Sequence, residues 1–243
     1  SLLAKELGHK EDQKRFYKRS LTYRKLFDQE IKLLRPRNAD GEWHTPFDPL
    51  AGANFTENVG FIEGNSWQYS FMVLHDIKGL KKLMGGDKAF IEQLQKVFDT
   101  EQFDMANEPD IAYPFLFNYV KGAEWRTQKK VIELVDSYFQ NKPSGVPGND
   151  DTGTMSAWLV YAMMGLYPIV TGEPIYTIST PMFDRVTIAL DPKYYQNEQI
   201  LIERTGSLNE PIKEIKMDGK ALNAYFISHK DLTNHHKLNV ITK

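Results

Sequence analysis

Apolar residues along this chain keep two different periods, and the change falls near residue 168. Before it they recur at three- and four-residue spacing, which predicts a series of amphipathic helices. Leu2, Leu3 and Leu7 mark a short helix stopped near Gly8. Phe16, Tyr17, Leu21, Tyr23, Leu26 and Phe27 form the next stripe, with lysines and arginines between them. Helix is therefore expected as far as Leu34, with a solvated basic face over a packed aromatic one. Ile77–Met84, ended by Gly85-Gly86, and Lys88–Phe98 read in the same way. Tyr113–Tyr119 begins another helix that Gly122 breaks, and Thr127–Tyr138 follows with Val131, Leu134, Val135 and Tyr138 as its buried side. Met155, Trp158, Leu159, Ala162, Met163 and Leu166 make one more stripe, which puts Trp158 in the core. After Tyr167-Pro168 short alternating runs take over: Ile175–Ile178, Arg185–Leu190, Gln199–Glu203, Ile212–Met217 and Leu238–Ile241. Asp218-Gly219 between two of them is a hairpin-turn signal. The expected fold is mainly α, with a toroid of helical hairpins over residues 1–168 and a small antiparallel β module over residues 169–243.

The connections carry the candidate chemistry. Arg35–Trp43 is a loop, and Pro46–Phe61 is irregular and rich in Gly, Asn and Phe. Asn65 or Ser66 is placed to cap the helix that follows, with Glu63 just upstream, where the helix dipole favours a carboxylate. His75 and Asp76 form a candidate hydrogen-bonded pair, and from the residues alone His75 reads as a satisfied structural histidine. Asn107-Glu108-Pro109-Asp110 is a turn, because Pro109 removes a donor and pushes Glu108 toward an extended backbone. The stretch from Gly145 to Trp158 starts as a Gly- and Pro-punctuated loop and ends as a helix. Asp150 and Asp151 lie at its mouth, between Asn149 and Gly153. Two carboxylates on such a turn are either helix caps or acid–base groups facing a cleft.

Composition removes several function classes. The chain has 243 residues, with 41% hydrophobic and 12% aromatic, which is enough for one large domain or a domain plus a small module. The net charge is -2 with no long basic run, so neutralisation of nucleic-acid phosphates is disfavoured. No stretch approaches the ~18 apolar residues that a membrane helix needs. Cysteine is absent, which rules out disulfides and thiol catalysis but fixes no compartment. The chain opens on Ser1 rather than Met, with residues that read as mid-domain helix, as expected of a fragment or processed form. Missing targeting signals therefore carry no weight.

Three blocks, in order, resemble glycoside hydrolase family 92, the calcium-dependent exo-α-mannosidases. They are Glu63-Gly-Asn-Ser-Trp-Gln-Tyr69 leading to His75-Asp76; Asn107-Glu108-Pro109; and Gly148-Asn-Asp-Asp-Thr-Gly-Thr-Met-Ser-Ala-Trp158 leading to Gly165-Leu-Tyr-Pro168. Gly79–Gly86 and Arg35-Pro-Arg37 are similar to that family as well. The resemblance implies a partial (α/α)6 toroid, an amino-terminal β-sandwich domain lying outside this chain, and an active site where the two meet. It implies inverting hydrolysis of terminal α-linked mannose from glycans, outside the cytoplasm. Such chemistry needs one carboxyl group to protonate the departing oxygen and another to activate water, ~6.5–9.5 Å apart.

By position in the motifs, Glu63 resembles the general acid and Asp151 the general base, with Asp150 as second choice. The family pattern often has an acidic residue where this chain has Asn149, which cannot take a proton from water but can orient it. An acid protonated near neutral pH calls for partial burial, and Trp67 or Phe61 is the expected apolar wall. Asn107, Glu108 and Asp151 are the expected calcium ligands, oxygen donors from separate turns. Asn107 and Glu108 read equally as sugar-binding or structural. Trp67, Gln68, His75 and Trp125 are candidates to line the sugar pocket. Two other readings compete: a non-catalytic fragment or carbohydrate-binding module, and an (α/α)6 enzyme such as a phosphorylase or lyase. A phosphorylase needs a basic phosphate pocket, and no Arg, Lys or His cluster sits beside Gly148–Gly153.

Overall fold

A computed structural model describes every residue except Asn54, Phe55 and Asn58. For those three, the irregular structure expected of Pro46–Phe61 lies outside the described residues. The chain forms two compact units, Ser1–Tyr113 and Pro114–Lys243, a division well ahead of the change of period at residue 168. Among the described residues, no helix is long and apolar enough to cross a membrane.

The first unit opens with α1 (Leu2–Glu6) and α2 (Lys10–Ser20). The packed aromatic face expected here is not formed: neither helix buries a residue, and Leu3 and Tyr17 are 72% and 60% exposed. The stripe turns inward only beyond Ser20, where Tyr23 and Phe27 are buried. The α-helix also stops there, and one 3₁₀ turn over Thr22–Lys25 follows in place of helix to Leu34. β1 (Phe27–Asp28) and β2 (Leu33–Leu34) pair antiparallel instead. Asp28 sets the turn between them, its Oδ1 accepting the Glu30 N–H at 2.9 Å and its carbonyl accepting the Lys32 N–H at 2.9 Å.

α3 (Ser66–Ser70) starts from Asn65 through a complete capping box with Gln68. α4 (Ile77–Met84) is capped by the Asp76 carboxylate and closes on Gly85, whose φ of 105° suits only glycine. α5 (Asp87–Asp99) follows at once. Apolar residues at helical spacing meet in one core, where Phe71 lies edge-on to Phe90 and to Tyr113, each at 5.4 Å. Leu80 and Leu94, fully buried, fill it.

A run of 3₁₀ turns over Tyr113–Tyr119 replaces the α-helix expected there. In the second unit α6 (Glu124–Tyr138) buries Val131 and Leu134, but Tyr138 is exposed and Phe139 takes its place. α7 (Thr154–Met164) buries Trp158, whose ring stacks on Phe139 with centroids 5.6 Å apart. The chain then runs β3 (Leu166–Tyr167), β4 (Ile175–Ile178), β5 (Arg185–Ala189), β6 (Gln199–Thr205), β7 (Ile212–Met217), β8 (Lys220–Ala221), β9 (Phe226–Ser228), α8 (His229–Asn234) and β10 (Lys237–Thr242). One sheet has the order β5-β6-β10-β7-β8 and a smaller one β3-β4-β9. The module is not wholly antiparallel, because β10 pairs parallel to β6. The β7–β8 hairpin and α8 bring the chain back between β6 and β7, antiparallel to β7 and therefore alongside β6. Alternate residues of both sheets, among them Ile178, Ile202, Ile227, Leu238 and Val240, share one apolar core.

Candidate active site

In the first unit Glu63 is held in a backbone conformation that few side chains adopt, at φ 53°. Its carbonyl accepts a 2.5 Å hydrogen bond from Nδ2 of Asn107, a side chain only 4% exposed. Two sequence blocks 44 residues apart are thereby joined. The Asn107 turn is itself pinned: the Asn107 N–H donates to the Asp104 carbonyl, and the Asp104 N–H donates to Oδ2 of Asp110 at 2.9 Å. Asp110 is fully buried, and burial pushes its carboxyl well above the usual carboxylate range. Glu108, next to Asn107, is exposed.

The Glu63 side chain is exposed too, so neither Trp67 nor Phe61 provides the burial expected of an acid's wall. Phe61 packs on Tyr69 at 5.6 Å, and the Tyr69 hydroxyl donates to the Ile62 carbonyl. Burial and the charge of Glu63 push that hydroxyl's pKa up. Trp67 is half-buried on α3. Gln68 is buried; its Oε1 accepts the Asn65 N–H at 2.9 Å, and its carbonyl accepts the Tyr113 hydroxyl at 2.5 Å.

The expected His75–Asp76 pair does not form, because neighbours in a 3₁₀ turn project to different sides. His75 Nε2 lies 2.8 Å from the Ser20 carbonyl, and its ring stands edge-on to Tyr23. Asp76 instead binds the Arg24 guanidinium and the Tyr23 hydroxyl, each at 2.8 Å. These partners hold its carboxyl below the usual range against the opposing effect of burial, which is the largest single influence.

In the second unit, the turn entering α7 places Asp150 and Thr152 in left-handed backbone at φ 52° and 53°, with Asp151 between them. The two carboxylates are treated differently. Asp150 accepts the Ser156 N–H at 2.9 Å and the Ser156 hydroxyl at 2.6 Å, which hold it below the ordinary aspartate range. It thereby satisfies an orphan donor of the first turn of α7. The Asp151 carbonyl accepts the Thr152 and Thr154 hydroxyls at 2.7 and 2.6 Å. Its carboxylate is exposed and makes no hydrogen bond or ion pair within the described residues. Asn149 is exposed beside them. Trp125 lies at the start of α6 with the Arg126 guanidinium 5.0 Å over its ring. It lines a hollow of about 360 Å³ with Gln128, Leu208 and Pro211, to which Asn149, Asp150 and Asp151 do not contribute.

The fold thus joins Glu63 to Asn107 in one unit, and Asn149, Asp150 and Asp151 on one turn in the other. Sequence reasoning passed over Asp110, Tyr69 and Ser156. The first closes a turn that was singled out, and the last stands at the helix position that a preceding carboxylate reaches. Asn107 and Glu108 offer the amide and carboxylate oxygens that calcium takes, but two are short of the six to eight it needs. Among the described residues, no three of His, Cys, Asp and Glu are grouped so as to hold a metal.

Each unit thus carries an exposed carboxylate on or beside a residue of positive φ: Glu63 in the first, Asp151 in the second. The family model for the glycosyl hydrolase family 92 catalytic domain matches residues 1–242, and the chain belongs to that family. A protein of Arthroderma benhamiae described as an uncharacterized secreted glycosidase is 30% identical over 206 residues, which is 77% of this chain and 26% of that protein. A family 92 α-mannosidase of Bacteroides thetaiotaomicron, solved in complex with mannoimidazole, is 29% identical, with a TM-score of 0.88 over 99% of this chain and 34% of that one. An inverting family 92 mannosidase of Bacteroides thetaiotaomicron VPI-5482 is 25% identical, with a TM-score of 0.86 over 99% of this chain and 35% of that one. The chain therefore spans about a quarter of the curated relative and about a third of the solved structures.

Proposed function

We propose that this chain forms one wall of the active site of an inverting exo-α-mannosidase that removes terminal α-linked mannose from glycans. The observation that carries the reading is the contrast within the acidic turn. Asp150 is spent on Ser156, while Asp151 stands beside it with its carboxylate unengaged. Asp151 is then the base that takes a proton from the attacking water, with Asn149 orienting that water, and the second choice, Asp150, becomes the group that fixes the turn. Glu63 is the acid that protonates the departing oxygen, its backbone clamped by Asn107. Trp67, Gln68, His75 and Trp125 are the proposed sugar-lining residues. Gln68 acts through α3 rather than by a free carbonyl, since its Oε1 is engaged in the capping box.

Calcium is the proposed cofactor, with Asn107 Oδ1 and the carboxylates of Glu108 and Asp151 as its protein ligands. When bound, it would hold the 2- and 3-hydroxyls of mannose and favour a distorted ring. The Asn107 Nδ2 bond to Glu63 leaves its Oδ1 as the amide atom available for that role. The wider organisation is part of the same reading: a partial (α/α)6 toroid over 1–168, a β module over 169–243, and an amino-terminal β-sandwich domain of the same enzyme that completes the site. The relative described as a secreted glycosidase supports a periplasmic, cell-surface or secreted location.

Glu63→Gln and Asp151→Asn in the complete enzyme test the assignment. Glu63→Gln should remove most activity on alkyl α-mannosides, whose leaving groups need protonation, and much less on nitrophenyl α-mannosides. Asp151→Asn should depress both alike. Equal losses for Glu63→Gln on the two substrates would count against the acid role. Activity indifferent to a calcium chelator would remove the cofactor. A chain inert even within the complete polypeptide would leave the alternative, a non-catalytic carbohydrate-binding module.

A further inference from the structure

The unit Pro114–Lys243 carries a hollow of about 770 Å³, none of whose lining residues has a role above. That volume lies in the range of small-ligand sites. Three rings line it: Tyr119, Tyr225 and Phe226. Tyr119 and Phe226 pack with centroids 4.7 Å apart, tilted by 54°, and both also line a smaller hollow of about 220 Å³ with Glu173 and Thr177. Between the rings are polar side chains of both signs. Lys121 and Lys213 are matched by Glu124 and Glu214, so the lining selects neither an anion nor a cation. Glu214 is further engaged by Lys216 at 2.9 Å, and Glu124 accepts the Gly122 N–H at 2.7 Å.

What remains for recognition is ring faces, amides and hydroxyls. Asn223 is exposed in the lining. Asn118, 6% exposed, gives its Nδ2 hydrogens to Thr177 Oγ1 at 2.7 Å and to the Ile178 carbonyl at 2.9 Å. Its Oδ1 is buried and has no hydrogen-bond partner among the described residues. Burial and the charge of Glu173 push the Tyr119 hydroxyl's pKa up to about 12, so it stays neutral. A pyranose has this complement: an apolar C–H face for a ring and neutral hydroxyls for amides.

We propose that this hollow is a second glycan-binding site, taking a neutral oligosaccharide across Tyr119 and Phe226 with its hydroxyls on the exposed amide of Asn223. The choice of ligand rests on the glycosidase reading above; the neutral aromatic lining does not. The site would keep a polymeric substrate on the enzyme between cleavages and would leave small substrates unaffected.

Asn223→Trp and Lys213→Trp, both at exposed positions, set a large ring in the hollow without removing a core residue. The complete polypeptide is titrated with a panel of short neutral oligosaccharides, including an uncleavable thio-linked α-mannobiose, and binding is read by calorimetry and by aromatic NMR shifts. The unaltered protein should show two classes of site, and each variant should lose one. Each variant should keep kcat/KM on nitrophenyl α-mannoside within twofold and raise KM on polymeric mannan at least fivefold. Binding by none of the panel, binding that both variants leave unchanged, or a fall in Tm with binding intact, as when another part of the polypeptide fills the hollow, overturns the proposal. Failure of the catalytic reading gives a different result: Glu63→Gln and Asp151→Asn remain active while the titration still reports the hollow.

Discussion

Asn107→Asp separates the two roles proposed for one side chain. The substitution keeps size and keeps an oxygen for a cation, but it removes the donor that holds the Glu63 carbonyl at 2.5 Å. In its place two acceptors face each other in a site where residue 107 is 4% exposed. Leaving that carbonyl unmatched costs about 1–3 kcal/mol. Glu63 also stands at φ 53°, a conformation that costs on the order of 1–3 kcal/mol and lasts only while its surroundings impose it. With the donor gone, the backbone relaxes and swings the carboxyl. A shift of about 1 Å at a reacting group is enough to lose roughly a hundredfold in rate. Asn107→Asp and Asn107→Ala should therefore both lose about a hundredfold in kcat/KM on alkyl mannosides, which corresponds to ~2.7 kcal/mol of barrier. The assay is steady-state kinetics of the complete enzyme across a calcium titration, with Tm as a control for folding. Saturating calcium should not restore Asn107→Asp. Retention of a third or more of the activity, or its recovery with calcium, would make the cation the reason for Asn107 and the Glu63 bond incidental.

Two further outcomes follow from the supports of the site. Ser156→Ala frees Asp150, whose folded pKa is held below the ordinary aspartate value of 3.8. A depressed carboxyl adds stability that is present above that value and lost as the pH falls through the lower, folded one. The variant should thus have a lower Tm at pH 7 and lose less of it between pH 4 and pH 2 than the parent; an identical acid profile would refute the assignment. Gly79→Ala would put a methyl group 2.2 Å from Asp76 Oδ2 and 2.6 Å from the Tyr23 hydroxyl, displacing the cap of α4. Loss of such a cap costs about 1–2 kcal/mol, readable by urea unfolding, and a change below ~0.5 kcal/mol would count against the cap.

The parts legible in the sequence were those with a local cause. α4 was readable to the residue because Gly85 supplies the stop, and β4 and β7 because alternation and the Asp218-Gly219 turn delimit them. Residue type narrowed the α3 start to Asn65 or Ser66, and the capping box with Gln68 puts the cap at Asn65. The parts that were not legible depend on partners distant in the chain. The stripe from Phe16 to Phe27 has a helical period whether or not anything covers it, so periodicity could not reveal that α2 buries nothing. The β6–β10 pairing depends on the route taken by the β7–β8 hairpin and α8, which alternation does not encode. His75 and Asp76 were adjacent in sequence, yet their partners, Ser20 and Arg24, lie more than 50 residues away. Glu63 and Asp151 could be named as candidates from motif position alone. That Asn107 clamps one and Ser156 occupies the neighbour of the other required coordinates.

Three of the six non-glycine residues with positive φ among the described residues are Glu63, Asp150 and Thr152, all within the two acidic motifs. Asparagine and aspartate tolerate that region better than glutamate or threonine, so Glu63 and Thr152 carry the larger penalty. Each is compensated locally: Glu63 by the Asn107 amide, and Thr152 by its hydroxyl bond to the Asp151 carbonyl. The same bonds leave the two remaining carboxylates unengaged, which a helix cap would not do. Asp150 shows what capping looks like in this chain, with both oxygens occupied by Ser156. If Asp151 served only to begin α7, one occupied carboxylate would suffice, and glycine at position 152 would relieve the strain while the Thr154 hydroxyl still engages the Asp151 carbonyl. Thr152→Gly therefore distinguishes the cases by Tm and kcat/KM of the complete enzyme: a purely structural turn gains stability with rate unchanged, whereas a turn that aims Asp151 gains stability and loses rate.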